Sequence, residues 1–183
     1  MGLFSKLFGT EKSEEKDSTP IQQKSVIQQK PIIQQKSIKT VFDILEINLK
    51  ELPDDTFVTG ATSDNTAGAL TTPYRKNLTT KVYDIFDTME IIRVENSTAK
   101  NMTLSTVNIK SVRIDKLKTL IDTIFLLYGE DSFLKGKLSH SDIEDLKSEY
   151  WGGRMWTDEK YKYPVVILRD DNGLSMTVWT LDC

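Results

Sequence analysis

Side chains able to carry out acid–base or nucleophilic chemistry are scarce in this chain of 183 residues. It has one histidine, His140, and one cysteine, Cys183. A histidine-centred base would use His140, with Asp142 or Glu144 to orient the ring, but its place in a polar segment favours an exposed side chain. One histidine and one cysteine are too few for an ordinary zinc site. The sequence therefore predicts no metal and no other cofactor.

Neighbouring acidic residues offer a second route to catalysis. These pairs are Glu130 with Asp131, Asp158 with Glu159, and Asp170 with Asp171. Adjacent acids at turns are usually solvated, and a single sequence does not show whether two carboxylates face each other across a cleft. The Asp-Asp-Asn-Gly segment at 170–173 lacks the twelve-residue ligand spacing of a calcium loop and suits a hairpin turn better.

Aromatic residues form the most informative pattern, because they concentrate in the last quarter of the chain, where all three tryptophans lie. Such residues, with arginine, dominate the hot spots of protein interfaces, but they also pack the cores of sheets. Core packing is favoured overall, most clearly for Trp156 and Trp179, while the three tyrosines are the better surface candidates. The candidate interaction surface consists of Tyr150, Trp151, Arg154, Tyr161 and Tyr163.

Residues 1–9 have an amphipathic pattern. At helical spacing their apolar side chains fall on one arc, which predicts a short anchor for a membrane surface or for a partner's groove. The alternative is a frayed terminus, because a helix this short is marginal by itself in water. The anchor residues are Leu3, Phe4, Leu7 and Phe8.

Residues 10–39 contain a charged run followed by three copies of Ile-Gln-Gln-Lys, six residues apart. A six-residue step turns a helix so that the isoleucines do not form a stripe, and Pro31 would break a helix interior. Three copies are also too few for a solenoid core. We therefore predict a disordered, extended linker, the alternative being a strand that adds to the sheet edge of a partner.

The charge is distributed unevenly along the chain. Residues 1–40 carry seven lysines and four acids, a net charge of +3. Because the whole chain has a net charge of −3, the remaining residues carry −6. An acidic domain repels phosphate backbones, which argues against nucleic-acid binding there. We expect no secretory signal, because Leu7 and Phe8 are followed by Gly9 and a charged run. No apolar run reaches membrane-spanning length, and the single cysteine suits a reducing compartment. We predict a cytoplasmic bacterial protein, peripheral at the inner membrane face if residues 1–9 act as an anchor.

Residues 40–183 are predicted to form one α+β domain. In 40–52, Phe42, Leu45 and Leu49 have helical spacing and Thr40 with Asp43 resembles a capping box, although Leu45, Ile47 and Leu49 also alternate as in a strand. We favour the helix. Residues 53–80 are rich in Thr, Gly, Asp and Asn without a clear period, which is typical of a flexible surface loop.

The remaining elements follow a strand–helix–strand order. Strands are predicted at 81–95 and 102–112, with a bulge near Ser105. A long helix at about 115–128 has Asp115 as its N-cap and Gly129 at its end, and a short one at about 141–150 opens on a capping box of Ser141 and Glu144. A C-terminal β-meander with a turn at 171–173 completes a mixed or antiparallel sheet packed by the long helix.

These patterns predict a non-enzymatic protein-binding domain, immunity- or adaptor-like, on a disordered N-terminal tail. The tail localises the domain to a membrane or to a partner, and the partner is a protein rather than a nucleic acid. The alternative is an enzyme that acts on a small ligand through Asp and Glu carboxylates or through the 53–80 segment. A deep pocket with convergent carboxylates would favour the enzyme.

Overall fold

The computed structural model of the protein describes residues 38–65, 68–148 and 150–180, which combine an antiparallel sheet with three α-helices. The predicted α+β class is therefore confirmed, with the antiparallel form of the sheet. The expected anchor residues Leu3, Phe4, Leu7 and Phe8, the linker up to residue 37, and Cys183 lie outside the described residues. The elements in chain order are α1 (Val41–Leu45), a 3₁₀ helix (Leu49–Glu51), β1 (Val58–Thr59), β2 (Ser63–Asp64), β3 (Leu70–Val82), β4 (Phe86–Val94), β5 (Lys100–Thr106), a second 3₁₀ helix (Ile109–Ser111), α2 (Ile114–Tyr128), α3 (His140–Lys147), β6 (Trp151–Trp156), β7 (Val165–Asp170) and β8 (Gly173–Thr180).

The sheet has the strand order β1-β3-β4-β5-β8-β7-β6, and β2 pairs with β3 beside β1. Every pairing is antiparallel. Consecutive hairpins connect β3 to β5 and β6 to β8, and the pairing of β5 with β8 joins these two sets of strands. The two chain segments on either side of the helices therefore form one continuous sheet.

One face of this sheet carries the core. A row of apolar residues crosses four strands at matched positions, formed by Ile91, Met102, Val178 and Val165, none of which is exposed. The buried stripe of α2 belongs to the same core. The opposite face is polar at its centre, where the hydroxyls of Thr103 and Thr177 lie 3.0 Å apart. This alternation is what an antiparallel sheet with one buried face requires.

Residues 53–80 differ most from expectation, because 70–80 belong to β3 rather than to a surface loop. β3 pairs with β4 from Thr71↔Val94 to Asn77↔Thr88. Its threonines and tyrosine favour extended backbone. The strand is largely exposed or half-buried, so it shows no clear apolar period even though its partner satisfies its backbone hydrogen bonds.

The segment 40–52 begins as predicted and ends early. The capping box of Thr40 and Asp43 is present. The helix stops at Leu45, because Glu46 adopts a left-handed conformation with φ 56° and the chain then continues into the first 3₁₀ helix. The mixed periodicity of the sequence thus reflects two short helices separated by a turn.

Other boundaries shift by a few residues. β5 ends at Thr106, so the change of phase marks the end of the strand rather than a bulge near Ser105. Arg113, not Asp115, occupies the N-cap of α2. The capping box of α3 uses Ser139 and Asp142 instead of Ser141 and Glu144. In both helices the actual N-cap lies two residues before the predicted one.

The β7–β8 turn contains two residues, Asp171 and Asn172, and Gly173 is already the first residue of β8. Neither turn residue has a positive φ, so this is not the Asn-Gly type I′ turn that we expected. Gly173 has φ 114°, and a Cβ at this position would lie 2.2 Å from the carbonyl oxygen of Thr106. The glycine is required for the close approach of β5.

Candidate functional site

The five residues of the expected interaction surface do not lie on one surface. Trp151, Arg154 and Tyr161 are between 1% and 5% exposed, so these three cannot contribute to an exposed surface. Tyr150 is 68% exposed and Tyr163 is half-buried. The correction leaves these two tyrosines, whose role in binding stays a prediction.

The other expected positions are mixed. Trp156 is fully buried, as predicted, and Trp179 is half-buried. His140 has an 86% exposed side chain and lies 3.4 Å from Glu144, which confirms its expected exposure. Asp131, by contrast, is 1% exposed and belongs to a buried charged cluster around Arg154.

A β-bulge explains why Arg154 points into the core. Trp151 pairs with Arg169, and Arg154 pairs with Ile167, so β6 uses one residue more than β7 over this stretch. Without the additional residue, two positions three apart would point to opposite faces. Gly153 provides it with φ 70°, in a place where a Cβ would lie 1.7 Å from the carbonyl oxygen of Ile167.

All five N–H groups of Arg154 have acceptors. Two of them donate to Asp142 as a bidentate pair, at 2.9 Å (Nη1 to Oδ1) and 2.7 Å (Nη2 to Oδ2). The other three donate to backbone carbonyl oxygens, those of Gly136 at 2.8 Å, Lys137 at 3.1 Å and Gly153 at 2.9 Å. A guanidinium group has no further donors, so Arg154 is fully hydrogen-bonded and links β6 to α3 and to the loop that connects α2 with α3.

Asp142 stays ionised in this buried cluster. Burial by itself raises the pKa of its carboxyl group, but the hydrogen bonds from Arg154, Ser139 and Trp151 outweigh burial and hold the pKa well below its ordinary value. The indole Nε1 of Trp151 donates to Oδ1 at 3.0 Å, and the backbone N–H of Ser139 donates to Oδ2 at 2.7 Å. One carboxylate therefore caps α3 and neutralises Arg154.

Asp131 holds the other side of the same loop. Its Oδ1 accepts the backbone N–H of Lys135 at 2.7 Å, and its Oδ2 lies 3.8 Å from Nε of Arg154. Its carbonyl accepts the N–H of Leu134 at 2.9 Å. The N–H of Ser132 in turn donates to the carbonyl of Met155 at 2.6 Å. Backbone groups of Ser132, Gly136 and Lys137 thus attach the loop to β6 at the edge of the sheet.

Two residues in the middle of this loop are apolar and exposed. Phe133 is 56% exposed and Leu134 is 78% exposed. Leu134 also has φ 56°, in the left-handed region that a bulky side chain rarely adopts. Nothing in the core is gained from this conformation, because the side chain points to solvent. The hydrogen bonds of Asp131 and Arg154 are what fix it.

Two further residues border these apolar side chains. Nζ of Lys135 lies 5.4 Å from the centre of the Phe133 ring. A Cβ on Gly152 would lie 3.4 Å from Nζ of Lys135 and 3.7 Å from the hydroxyl oxygen of Tyr150. Lys135 and Tyr150 therefore lie close together beside Gly152. We call the surface formed by Phe133, Leu134, Lys135 and Tyr150 the tip patch.

Sequence reasoning identified Tyr150 and missed the other three residues of the tip patch. Phe133 and Leu134 stand in a polar segment between two helices, and Leu138 is the one apolar residue at helical or strand spacing from either of them. An isolated apolar pair of this kind, in a segment too polar to form a core element, is the available sequence signal.

Comparisons with protein-family models, with curated proteins and with solved structures found no match for this chain. Among the helices of the described residues, none has the length and apolar character needed to cross a bilayer. The fold and the site define an α+β domain with an antiparallel sheet and a hydrogen-bonded loop that exposes Phe133 and Leu134.

Proposed function

We propose that this domain is a non-enzymatic protein-binding module whose tip patch enters an apolar groove of a partner protein. The observation that carries the proposal is Leu134, a largely exposed leucine held in the left-handed region by a buried charged cluster. Strained backbone that the surrounding structure enforces concentrates at binding and catalytic sites. A loop fixed in one conformation also binds with less loss of conformational entropy than a mobile one.

The chemistry of the tip patch indicates the kind of groove. Phe133 and Leu134 provide apolar anchors, and Tyr150 adds an aromatic ring with a polar end, the composition found at interface hot spots. Lys135 and Lys137 add positive charge beside the anchors. We therefore propose a partner with an apolar groove and acidic residues around it, because complementary charge promotes association.

Capture of partners by the full-length chain tests this proposal. We expect the double variant Phe133→Ser, Leu134→Asn to lose the partner, since removal of two anchors weakens binding by at least about 2 kcal/mol, or roughly thirtyfold. Asparagine accepts the left-handed conformation, so the loop keeps its backbone. Quantitative mass spectrometry of proteins captured from the source cells provides the measurement, followed by calorimetry with the purified partner.

The matched control is Leu126→Ser on α2, because Leu126 is 82% exposed and lies outside the tip patch. This variant should capture the same partner as the wild type. If the tip variant captures the partner as well as the control does, the proposal is refuted. If both variants lose the partner, binding depends on general surface hydrophobicity instead of on the tip patch. An immunity- or adaptor-like role is the version of this function that we propose for a small acidic domain.

We also propose that residues 1–39 act as a tether, with Leu3, Phe4, Leu7 and Phe8 as a peripheral anchor at the inner face of the membrane. The amphipathic spacing of these four residues supports this part of the proposal. Flotation with anionic vesicles should be stronger for the full-length chain than for a chain without residues 1–9. If both float equally, the anchor does not exist.

The enzymatic alternative has less support. Two of the features that suggested it have structural roles, because Asp131 is buried beside Arg154 and residues 70–80 belong to β3. It stays a prediction without a site.

A further inference from the structure

The register of the sheet places two cations side by side at one end of the core face. Arg93 of β4 is directly opposite Lys100 of β5, and Lys100 is opposite Thr180 of β8. The preceding row on the same face is the apolar one that contains Ile91 and Met102. Like charges directly opposite each other on neighbouring strands destabilise a sheet, so this pair requires an explanation.

A cleft lies where the core face ends, between the sheet and the segment that contains α1 and the first 3₁₀ helix. It comprises two adjoining cavities of 600 Å³ and 590 Å³ that share Lys50, Thr98 and Lys100 in their walls. Lys162 lines the first cavity and Arg93 lines the second. Cavities of this size are typical of sites for small molecules.

The cleft has an excess of positive charge on an acidic protein. Four cationic side chains line it, against two carboxylates, those of Asp43 and Glu95. Within the described parts of the chain, none of the four cations lies within ion-pair distance of a carboxylate. The four are Lys50, Arg93, Lys100 and Lys162.

Lys100 is the central cation. Its Nζ donates to the carbonyl oxygen of Leu52 at 3.0 Å, which fixes the ammonium group beneath the 3₁₀ helix. Burial lowers the pKa of Lys100, and the charge of Arg93 lowers it further. A bound anion would counteract the shift, because its negative charge favours the protonated form of Lys100.

Apolar and aromatic side chains form the remaining wall of the first cavity. The rings of Phe42 and Tyr163 meet edge to face, with their centres 5.0 Å apart, and Ile47 and Leu49 line the cavity beside them. In the second cavity the guanidinium of Arg93 lies 5.7 Å from the ring centre of Tyr74. The cleft therefore combines cations with a surface suited to a ring or another apolar group.

We propose that this cleft binds a small organic phosphate, with the phosphate group between Lys50, Arg93 and Lys100 and the apolar or aromatic body against Phe42 and Tyr163. A phosphate dianion matches the local excess of two positive charges, whereas a single carboxylate would leave one charge uncompensated. This inference concerns a different surface from the tip patch and is independent of the proposed protein-binding function.

Titration of the full-length ¹⁵N-labelled protein with phenyl phosphate tests the inference. We expect saturable shifts of the amides around the cleft, including those of Lys100 and Thr180. Inorganic phosphate should shift the same amides with weaker affinity, since it lacks the apolar body, and phenol should leave them unchanged, since it lacks the charge. No saturable shift with phenyl phosphate up to about 10 mM, or equal binding of phenol, would overturn the inference.

Two variants locate the binding. Lys100→Met should lower the affinity for phenyl phosphate at least about tenfold, because a charge-assisted hydrogen bond is lost. Lys110→Met removes the same charge from a lysine that lines neither cavity and should bind within about twofold of the wild type. Equal losses in the two variants would assign the effect to net charge and refute the site.

Folding of the variant is measured separately. Lys100→Met relieves the repulsion with Arg93 but removes the donor to the carbonyl of Leu52, so the two effects oppose each other and its melting temperature should stay close to that of the wild type. Arg93→Met provides a second test and should also lower the affinity for phenyl phosphate.

A phosphotyrosine peptide tests the size of the ligand. Much tighter binding of this peptide than of phenyl phosphate would contradict the small-molecule assignment, because the contacts would then extend beyond the cleft.

Discussion

Replacement of Arg154 by methionine tests the role of the buried charged cluster. The change keeps most of the side-chain length and removes the positive charge. Asp142 would lose a bidentate partner, Asp131 its nearest cation, and the carbonyls of Gly136 and Lys137 their donors. Removal of one partner from a buried ion pair destabilises a protein by about 3–5 kcal/mol. This is a large fraction of the roughly 5–15 kcal/mol that stabilises a typical domain.

A second variant, Arg154→Lys, distinguishes the contribution of the positive charge from that of the hydrogen-bond geometry. Arg154→Lys keeps the positive charge, but an ammonium group cannot reproduce the bidentate pair and also reach both loop carbonyls. We expect it to lose about two hydrogen bonds, or about 2–3 kcal/mol. Arg154→Met should therefore be the more destabilising of the two changes.

Urea unfolding followed by circular dichroism gives the free energy of unfolding for each variant. Hydrogen exchange of the Lys135 amide, which donates to Asp131, reports on the loop itself and should accelerate in Arg154→Met. The control is Arg75→Met, since Arg75 pairs with Glu90 at an exposed site and such pairs contribute about 1 kcal/mol or less. A loss of less than about 1 kcal/mol in Arg154→Met, or unchanged exchange at Lys135, would refute the reasoning.

Three further predictions follow from the geometry of this region. Because the pKa of Asp142 is lower in the folded state than its ordinary value of about 3.9, its contribution to stability is complete above that value and is lost as the pH falls below it. Between about pH 7 and pH 2.5 the urea midpoint of unfolding should fall in the wild type, and it should fall less in Asp142→Asn. Leu134→Gly should raise the free energy of unfolding by up to about 1 kcal/mol, because a left-handed leucine costs about 1–2 kcal/mol, and should weaken capture of the partner; unchanged capture would contradict the proposed role of the tip patch. Gly153→Ala should lose about 2–4 kcal/mol, from a positive φ and from the clash with the carbonyl of Ile167. The control Gly68→Ala, with φ 75° and open space around it, should lose only about 1 kcal/mol, and similar losses in the two variants would show that the clash is relieved elsewhere.

Local patterns in the sequence predict the helices well. The apolar stripe of α2 and the capping box of Thr40 with Asp43 depend on residues within one or two turns of each other. β3 could not be predicted in this way. It is an exposed strand whose hydrogen bonds depend on β4, and neither its composition nor its period records that pairing.

The site shows the same difference between local and distant information. The three tyrosines are expected at the surface together, but Tyr150 is 68% exposed and Tyr161 only 5%. The burial of Arg154 could not be predicted either, because it depends on a bulge at Gly153 and on Asp142, twelve residues earlier in the chain. An arginine next to tryptophans looks the same in a sequence whether it lies on a surface or inside a loop cluster.

An apolar side chain at position 154 could give the same or greater stability of the fold, since well-packed apolar residues often equal or exceed a buried ion pair in their contribution to stability. What an apolar side chain cannot do is donate hydrogen bonds to the carbonyls of Gly136 and Lys137. Those carbonyls lie in the loop between α2 and α3, outside any helix or strand, and need donors if the loop is to stay against the sheet. The cluster therefore determines the conformation of the loop, and the loop in turn determines that Phe133 and Leu134 face solvent. That dependence is why we place the partner-binding function at the tip patch rather than among the buried aromatic residues beneath it.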